Sequence, residues 1–482
     1  MVVINTDICK FCQVDDSDKN LWVQCELCPQ WVHVLCIPLN CIYLDNDTAV
    51  SARVYPNSDK DINKFICDAH GSNERLILKS RGEKRNIDQI SSDPHGDNDN
   101  NSKKYNLRRG KKIDYISLNE GEQKKLKNVH PHLANFQKCF KKWENTKNII
   151  DSKKFESDFN SIKEPFKITD PELSGMELPL PIGSDKDVEL TVRDVTYSVG
   201  ADSDVNVMDV LNQQNEKWTL GKWNRYFSDT LPEDRERLKN VISLEVSHVK
   251  NFPIERPRAV NENDLVDKVW NKYGDLQLDG PEPKVKKYVL MSVGNAYTDF
   301  HLDFAGTSVY YRVISGQKQF ILFPPTESNL QKYVNWCSMY EQSEVFLGDQ
   351  LEDGIAMQLE AGDLFMIPCG YIHVVYTPKD SLVIGGNFLT ARDIATQLKI
   401  VDIERITKVP KRFTFPKFDL VMCKTGEWLL DDENTDKTKS SIDKETIKSL
   451  TNHLKNSSVK YKSYRFPSKR LLVNELLSLV NS

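Results

Sequence analysis

The sequence predicts a multidomain chain in which a small, cross-braced metal-binding finger precedes a β-barrel or jelly roll with flanking helices. Seven of the 11 cysteines fall within the first 67 residues, where they form regularly spaced pairs. From about residue 185 onward, the chain carries many short runs rich in Val, Ile, Tyr and Phe and bounded by turn residues, which is typical of β-sandwiches and barrels. At ~150 residues per domain, the length of 482 residues corresponds to roughly three domains.

Composition excludes two broad classes of protein. Hydrophobic residues make up 39% of the chain and charged residues 28%, and no stretch approaches the ~20 consecutive apolar residues of a membrane span, so we expect no membrane partner. The 8 Trp, 17 Tyr and 20 Phe residues are too many for a wholly disordered chain. The N-terminus MVVINTDICKFC lacks a secretory pattern. We therefore expect a reducing compartment, in which clustered cysteines indicate metal binding rather than disulfides.

The first 72 residues are predicted to hold two metal ions. Four pairs with a two-residue gap supply eight ligands, and gaps of 12, 4 and 30 residues separate the pairs, as in a cross-braced finger. Thiolates with imidazoles and no open position favour structural zinc. In this arrangement the first and third pairs bind one ion, and the second and fourth bind the other. RING and LIM fingers are the alternative modules. The pairs are Cys9 and Cys12, Cys25 and Cys28, His33 and Cys36, and Cys67 and His70.

The segment LWVQCELCPQWVHVLC resembles a PHD finger, whose mark is a Trp two residues before the His ligand, as Trp31 is before His33. The final pair departs from that family, because His70 stands where most PHD fingers have Cys. The resemblance implies binding of histone tails, with Trp22 and Trp31 as walls of a methyl-lysine cage. An aromatic face attracts a quaternary ammonium group through its quadrupole. The alternative is that Trp31 only packs the small core of the finger.

Residues 73–112 are predicted to be a basic, flexible linker. The run is rich in Asn, Asp and Ser and lacks apolar periodicity. Its basic clusters suit a nuclear-import signal or contact with DNA phosphates, although a solvated linker is the simpler interpretation. The clustered residues are Lys79, Arg81, Lys84, Arg85, Lys103, Lys104, Arg108, Arg109, Lys111 and Lys112.

The remainder of the chain is predicted as helices, a barrel and further helices. In residues 113–184, Phe136, Phe140 and Trp143 are spaced as on one helical face. Residues 185–415 carry the strand-like runs, and 416–482 combine a polar loop at 430–445 with helices from KETIKSLTNHL to LLVNELLSLV. The strand-like runs are DVELTVRDV, NVISLEV, KYVLMSV, SVYYRVIS, QFILFPP, DLFMIP, HVVYT and SLVIGGNFL.

Three residues of the predicted barrel match an iron site. His301 and Asp303 stand two apart, so a strand would place both on one face. His373 lies far downstream, at the end of EAGDLFMIPCGYIH. Two histidines and one carboxylate form the facial triad of non-haem Fe(II) oxygenases, which leaves open positions for cosubstrate and O₂. The spacing alone is weakly specific, and the predicted strand context strengthens it.

The blocks YTDFHLDFAGTSVYYRVISGQK, LEAGDLFMIPCGYIHVVYTP and GGNFL resemble the JmjC domain, a double-stranded β-helix, and its histone demethylase 1 subfamily in particular. Fungal members of that subfamily also carry an N-terminal PHD finger. NVMDV, KWNRYF, NVISLEVS and KVPKRFTFPKFD belong to the same resemblance, which covers nearly the whole chain. The resemblance implies that His301, Asp303 and His373 bind Fe(II).

The same resemblance assigns the 2-oxoglutarate contacts. Thr298 and Lys318 match the positions that bind the distal carboxylate, and a buried dicarboxylate needs such a cation. Tyr311 and Asn387 match further residues near the cosubstrate, or are simply a core Tyr and a turn Asn. The family's Asn after the MDV motif aligns with Leu211, so that role is left unassigned.

By this resemblance the chain is an Fe(II)- and 2-oxoglutarate-dependent histone lysine demethylase of the nucleus. It would use O₂ to hydroxylate N-methyl groups, with release of formaldehyde, on mono- and dimethylated lysine 36 of histone H3. A JmjC-type protein hydroxylase and a non-catalytic chromatin reader are the alternatives.

The net charge of −5 hides an uneven distribution. Residues 1–72 carry −5, residues 73–112 carry +5 and the remainder carries −5. Acidic surfaces on the two predicted domains suit a basic histone tail, and the basic linker suits DNA or an import receptor.

Overall fold

The computed structural model describes most of the chain beyond residue 130 and short stretches before it. The described residues are 22–25, 27, 31–33, 42–44, 62–67, 75–78, 130–181, 189–431, 436, 438–439 and 442–481. The chain divides into two compact units, residues 1–112 and 113–482. Each unit is considered by itself.

The first unit contains two small sheets. Strands β1 (Trp22–Gln24) and β2 (Trp31–His33) pair antiparallel. Strand β5 (Arg75–Leu78) lies between β3 (Ile42–Leu44), to which it is parallel, and β4 (Ile62–Ile66), to which it is antiparallel. Val32 and Phe65 are fully buried and Ile77 nearly so, which gives this unit a minimal apolar core.

The end of this unit differs from the sequence prediction. The predicted linker begins at residue 73, whereas β5 pairs with both neighbouring strands of the three-stranded sheet. The run RLIL is a short apolar segment, and its Ile77 side chain is buried. The sheet of the first unit therefore extends at least six residues past the predicted boundary at residue 72, to Leu78.

The second unit is built on an 11-stranded sheet, in the order β6-β7-β15-β13-β16-β11-β10-β8-β9, with β12 paired to β16 and β14 paired to β13. The strands are β6 (Ile149–Ile150), β7 (Phe166–Ile168), β8 (Asp204–Asp209), β9 (Gln214–Thr219), β10 (Lys239–Glu245), β11 (Tyr288–Ser292), β12 (Ala296–His301), β13 (Ser308–Phe323), β14 (Ile355–Glu360), β15 (Leu364–Ile367) and β16 (Ile372–Phe388).

A long antiparallel ribbon of β13 and β16 organises this sheet. The first half of β13 pairs with the second half of β16, between β15 and β11, and the other two halves pair between β14 and β12. The register shifts around Gly316, where φ is +82° and an added Cβ would lie 2.0 Å from the Asp380 carbonyl oxygen. A side chain is excluded there, so the ribbon bends and contributes to two layers. The predicted double-stranded β-helix is confirmed.

Two pairs of predicted runs are single strands. SVYYRVIS and QFILFPP both belong to β13, and HVVYT and SLVIGGNFL both belong to β16. The turn residues between them, around Gly316 and Asp380, mark the bend of the ribbon rather than the end of a strand. The runs NVISLEV, KYVLMSV and DLFMIP contain strands as predicted.

Along the chain, helices precede the sheet strands, lie between them and follow them. They are α1 (Leu133–Trp143), α2 (Ser152–Ser157), α3 (Val192–Val199), α4 (Leu220–Asn224), α5 (Arg258–Asn263), α6 (Leu265–Val269), α7 (Leu276–Asp279), α8 (Glu327–Ser338), α9 (Ile394–Ile406), α10 (Phe418–Leu429), α11 (Lys444–Asn456) and α12 (Lys469–Asn481). None of the helices in the described part of the chain has both the length and the apolar character needed to cross a bilayer.

The predicted helical face of α1 is confirmed, since Phe136 and Phe140 are buried against the barrel core. The prediction for DVELTVRDV is wrong, because this run contains α3 rather than a strand. Thr191 and Asp194 form a capping box, in which each side chain bonds the other's backbone N–H. That local signal outweighs the β-branched composition of the run.

Candidate functional site

The three predicted iron ligands converge at one end of the β12–β16 pair. His301 is the last residue of β12 and lies directly opposite His373 of β16, with the ring centroids 4.2 Å apart. Asp303 lies two residues past the end of β12, outside the strand expected to carry it, and its Oδ2 lies 3.9 Å from Nε2 of His373. One ligand atom from each residue lies within 4.8 Å of the others. This donor set can hold one ion while leaving positions open.

Backbone carbonyls orient both imidazole rings. Nδ1 of His301 lies 2.8 Å from the carbonyl oxygen of Asp299, and Nδ1 of His373 lies 3.0 Å from that of Tyr371. A carbonyl only accepts, so each Nδ1 carries the proton and each Nε2 offers its lone pair. Burial and the neighbouring His373 lower the pKa of His301 to about 4. His301 is therefore a neutral imidazole at physiological pH, as a metal ligand must be.

A bulge in β12 precedes His301, and Gln213 braces it. The β12–β16 register shifts between Thr298 and His301, so the backbone groups there leave the ladder. Nε2 of Gln213 donates to the Tyr297 carbonyl oxygen at 3.0 Å, and its Oε1 accepts from the Asp299 N–H at 3.2 Å. Gln213 lies between β8 and β9 with φ +55°. Nothing in the sequence indicated this contact between segments 84 residues apart.

The turn after Asp303 is fixed by Glu404 of α9. Ala305 adopts a left-handed conformation, with φ of +50°, and its N–H donates to Oε1 of Glu404 at 2.6 Å. At Gly306 an added Cβ would lie 2.8 Å from Cγ1 of Ile400, so α9 packs against this turn without space for a side chain. Through these two contacts, α9 helps to hold Asp303 in place. Burial raises the pKa of Glu404 to about 7.

Lys318 is a buried amine without an acidic partner among the described residues. Its side chain is 3% exposed, and its Nζ donates to Oγ of Ser292 at 2.6 Å and to Oγ1 of Thr377 at 2.9 Å. No carboxylate in the described part of the chain forms an ion pair with it. Burial lowers the pKa of Lys318 to about 7. A buried amine held only by hydroxyl groups suits an anionic ligand that would supply the missing charge.

A chain of hydrogen bonds joins Lys318 to Thr298. The Ser292 hydroxyl donates to Oδ1 of Asn240 at 2.6 Å, and Nδ2 of Asn240 donates to Oγ1 of Thr298 at 3.1 Å. Thr298 accepts this bond, so its own hydrogen can be donated to a ligand. Asn240, Ser292 and Thr377 were not predicted from the sequence as site residues. Asn240 begins the block NVISLEVS, whose resemblance to the family was the available signal.

The two further predicted cosubstrate residues are both on strands. Tyr311 of β13 is buried, with its ring edge-on to Phe320 at 5.2 Å, and the Phe320 ring lies 6.2 Å from that of His373. Asn387 belongs to β16 rather than to a turn, and its Nδ2 donates to Oγ1 of Thr307 at 2.8 Å. Their roles toward a cosubstrate stay predictions.

One link of the predicted zinc sites lies among the described residues. Cys25 and Cys67 are both buried, and Sγ of Cys25 accepts the N–H of Cys67 at 3.4 Å and that of Leu27 at 3.4 Å. These contacts bring together the two pairs that were predicted to share an ion. In the β1–β2 register, Trp22 lies opposite His33 and Trp31 opposite Gln24. The predicted ligands Cys9, Cys12, Cys28, Cys36 and His70 lie outside the described residues.

Comparisons with known proteins match both ends of the chain and its full length. The family model described as "JHD1, PHD-type zinc finger" matches residues 8–71, and "JHD1, C-terminal domain" matches residues 419–479. The JmjC domain-containing histone demethylation protein 1 of Saccharomyces cerevisiae is 50% identical, over 98% of this chain and 99% of that protein. Its namesake in Kluyveromyces lactis is 50% identical over 97% and 96%.

A third relative matches a smaller share of the chain. Lysine-specific demethylase 2A of Xenopus tropicalis is 40% identical over 66% of this chain and 28% of its own length. The two yeast relatives are matched almost end to end. The chain therefore belongs to the family of JmjC domain-containing histone demethylation protein 1.

Proposed function

We propose that this chain is an Fe(II)- and 2-oxoglutarate-dependent histone lysine demethylase. The observation that carries the proposal is that one barrel contains two sites. The first is the triad of His301, Asp303 and His373, and the second is the buried amine of Lys318, which has no ion pair among the described residues. A two-histidine, one-carboxylate set suits Fe(II). A buried cation without a carboxylate partner suits a dicarboxylate cosubstrate. The names of the relatives support the substrate class.

The protein's own groups divide into ligands and orienting groups. The carbonyl oxygens of Asp299 and Tyr371 fix the Nε2 lone pairs toward the ion, and Glu404 fixes the turn that presents Asp303. Lys318 would pair with the distal carboxylate of 2-oxoglutarate, and the Thr298 hydroxyl would donate a second bond to it. With the cosubstrate and O₂ bound, the iron would supply the oxidising chemistry that hydroxylates an N-methyl group, whose hemiaminal product releases formaldehyde.

The protonation states suit this division of labour. His301 is neutral because burial lowers its pKa to about 4, so no proton has to leave before a metal binds. Lys318 gains its proton when the anionic cosubstrate arrives, since the ligand's charge offsets the cost of burying the ammonium. Asn240 accepts the hydrogen of Ser292 and donates to Oγ1 of Thr298, so the Thr298 hydroxyl hydrogen remains for the anion. The Lys318 amine and the Thr298 hydroxyl can therefore both bind an anionic ligand.

For the substrate we propose mono- and dimethylated lysine 36 of histone H3, which rests on the resemblance to the subfamily. The acidic net charges of residues 1–72 and 113–482, each −5, complement a basic tail. We further propose that the first unit binds two structural zinc ions and reads a histone tail, with Trp22 and Trp31 as cage walls. The basic residues of 79–112 would serve nuclear import or contact DNA, which places the enzyme in the nucleus.

The decisive experiment is a formaldehyde assay with Fe(II), 2-oxoglutarate and ascorbate across a panel of methylated histone peptides. Formaldehyde release that is lost in His301→Ala supports the proposal, and retained activity in that variant contradicts the iron assignment. A gain of one oxygen atom without methyl loss would instead indicate a protein hydroxylase. Peptide binding without turnover by the metal-loaded protein would indicate a non-catalytic reader.

The finger is tested separately with histone H3 tail peptides of differing methylation. Trp31→Ala should abolish the preference for methylated peptides if the ring forms a cage wall. Tyr43→Ala, on strand β3 of the other sheet, is the control for general damage to the unit. Equal binding by the Trp31→Ala variant and the wild type would leave Trp31 as a core residue.

A further inference from the structure

A cleft lies between the end of α9, the segment 408–417 and the segment 458–462. Its volume is about 960 Å³, and its apolar lining includes Val401, Phe415, Phe418 and Leu420. One lining residue, Glu404, also fixes the turn that presents Asp303, and the mechanism proposed above uses no other residue of the cleft. Its two opposing walls share an unusual composition, in which basic residues alternate with aromatic ones.

The first wall is the segment KVPKRFTFPK, residues 408–417, which carries four basic residues and no acidic one. Lys408, Lys411 and Arg412 are exposed. Phe413 is 43% exposed, and the Arg412 guanidinium lies 4.8 Å from the centre of its ring. The partly exposed Phe413 ring and the Arg412 guanidinium above it form a cation–π pair on the surface of this wall.

The second wall is the segment 458–462, which continues beyond the cleft to residue 470, and residues 458–470 carry five basic residues and no acidic one. Its side chains alternate, because Lys460, Lys462 and Tyr464 are exposed whereas Tyr461 and Ser463 are buried. Both buried hydroxyls donate to the Glu427 carboxylate of α10, Ser463 at 2.9 Å.

This anchor on Glu427 holds Lys460 and Lys462 on the outer face of the segment. Tyr464, next in the alternation, is fully exposed and packs against nothing in the described part of the chain. Two lysines two residues apart on an ordered segment present their charges at a fixed spacing.

The acidic side chains of the cleft are already engaged. Asp279 pairs with Lys424 at 2.6 Å, Asp419 with His453 at 2.8 Å, and Glu404 accepts the Ala305 N–H. Asp275 caps the N-terminus of α7.

Three of the five basic side chains of the cleft differ from these acidic ones. Within the described part of the chain, Lys411, Lys460 and Lys462 form no ion pair, whereas Arg405 and Lys417 have partners. Unpaired lysines therefore lie on both sides of the cleft, although the net charge of the whole chain is −5.

We propose that this cleft binds the phosphodiester backbone of double-stranded DNA. This deepens the proposed function and rests on it for the identity of the partner, because a histone tail emerges from a DNA-wrapped particle. Lysines gain affinity for a polyanion through released counterions, and the two acid-free segments supply lysines on both sides of the cleft. An acidic polypeptide is the other polyanion that fits the charge, and polyglutamate is the probe for it.

The test measures binding of the full-length protein to a fluorescent DNA duplex as a function of salt concentration. Lys460→Glu/Lys462→Glu should weaken binding about tenfold or more and reduce the slope of log K against log salt by about 2. Lys411→Glu/Arg412→Glu tests the opposite wall in the same way. Lys153→Glu/Lys163→Glu is the matched control, since both residues are exposed, lie outside the cleft and change the net charge equally.

The outcomes separate the alternatives. The proposal holds if the two cleft variants lose duplex affinity and salt slope while the control equals the wild type. It is overturned if all three variants behave alike, or if the cleft variants bind duplex normally and lose binding to polyglutamate. Stronger loss with single-stranded than with double-stranded DNA would overturn the assignment to duplex. Demethylation of a methylated peptide is measured in parallel and should be unchanged, so failure of the enzymatic proposal would leave the DNA result interpretable.

Discussion

Binding of 2-oxoglutarate should be accompanied by uptake of a proton at Lys318. Burial lowers the pKa of this amine to about 7 in the ligand-free protein, and a bound carboxylate should raise that pKa above 10. Between the two values the free site is neutral and the complex is charged. We therefore expect about 0.9 proton taken up per ligand at about pH 8, and about 0.1 at about pH 6.

The stability of the ligand-free protein carries the same signature. The folded-state pKa of Lys318 lies below its unfolded value of 10.5, so the unfolded chain binds more protons between these two values. The free energy of unfolding should therefore rise with pH from about 7 to about 10.5. The full cost of burying the amine is on the order of 5 kcal/mol at neutral pH. Lys318→Met should remove most of this cost, since Met has a similar length and no charge.

Calorimetry provides the assay. Titrating the Fe(II)-loaded protein with 2-oxoglutarate without oxygen, in buffers of different ionisation enthalpy, gives the number of protons exchanged. Lys318→Met should weaken binding about a hundredfold or more and abolish the proton uptake, while unfolding at neutral pH becomes more difficult. Lys379→Met, an exposed lysine of β16, is the control and should change neither quantity. Absence of proton uptake by the wild type at about pH 8 would refute the reasoning.

Three further outcomes follow from contacts around the site and the finger. Gln213→Ala removes the brace across the β12 bulge and should weaken Fe(II) affinity about tenfold, measured by metal competition, with little change in thermal unfolding. The control is Gln331→Ala, because Gln331 is an exposed glutamine of α8. Glu404→Gln keeps an acceptor for the Ala305 N–H and removes a carboxyl whose pKa burial raises to about 7. Because the pKa of Glu404 is higher in the folded protein than its ordinary value of 4.5, the wild type loses stability as pH rises between the two values. In urea unfolding, the variant should be more stable by on the order of 1 kcal/mol at about pH 8 and equally stable near pH 4. Cys67→Ser should release zinc from the full-length protein, measured with a chromogenic chelator, whereas Cys423→Ser, a buried cysteine of α10, should release none.

The triad was predictable because its signal is local and chemical. His301 and Asp303 are two residues apart, and His373 begins the predicted run HVVYT. The segment of β12, which carries His301, was not one of the apolar runs, so its register opposite His373 is seen only in the folded sheet. Lys318 was identified only through resemblance, since a lysine after SGQ is usually a surface residue. Its burial results from the ribbon bend, and no composition rule predicts that a lysine next to a bend points inward.

The supporting contacts were not predictable in the same way. Asn240, Ser292 and Gln213 come from three segments that only the folded sheet brings beside β12. Their side chains are ordinary polar residues, and no spacing rule distinguishes them from surface positions. The run containing α3 failed for the opposite reason, since its decisive signal, the Thr191–Asp194 capping box, was local and was outweighed by composition in the prediction.

Strand β16 carries several residues of the candidate site along one continuous backbone. His373 and Thr377 fall in its first half, and Asn387 lies near its end. A deletion or insertion of one residue within this strand would turn every later side chain to the opposite face. A substitution alters one of these positions, whereas a change in length would shift the proposed metal ligand relative to the proposed cosubstrate contacts. Length variation among homologous chains should therefore be confined to the segments between strands, and β16 should serve as a fixed ruler for aligning them.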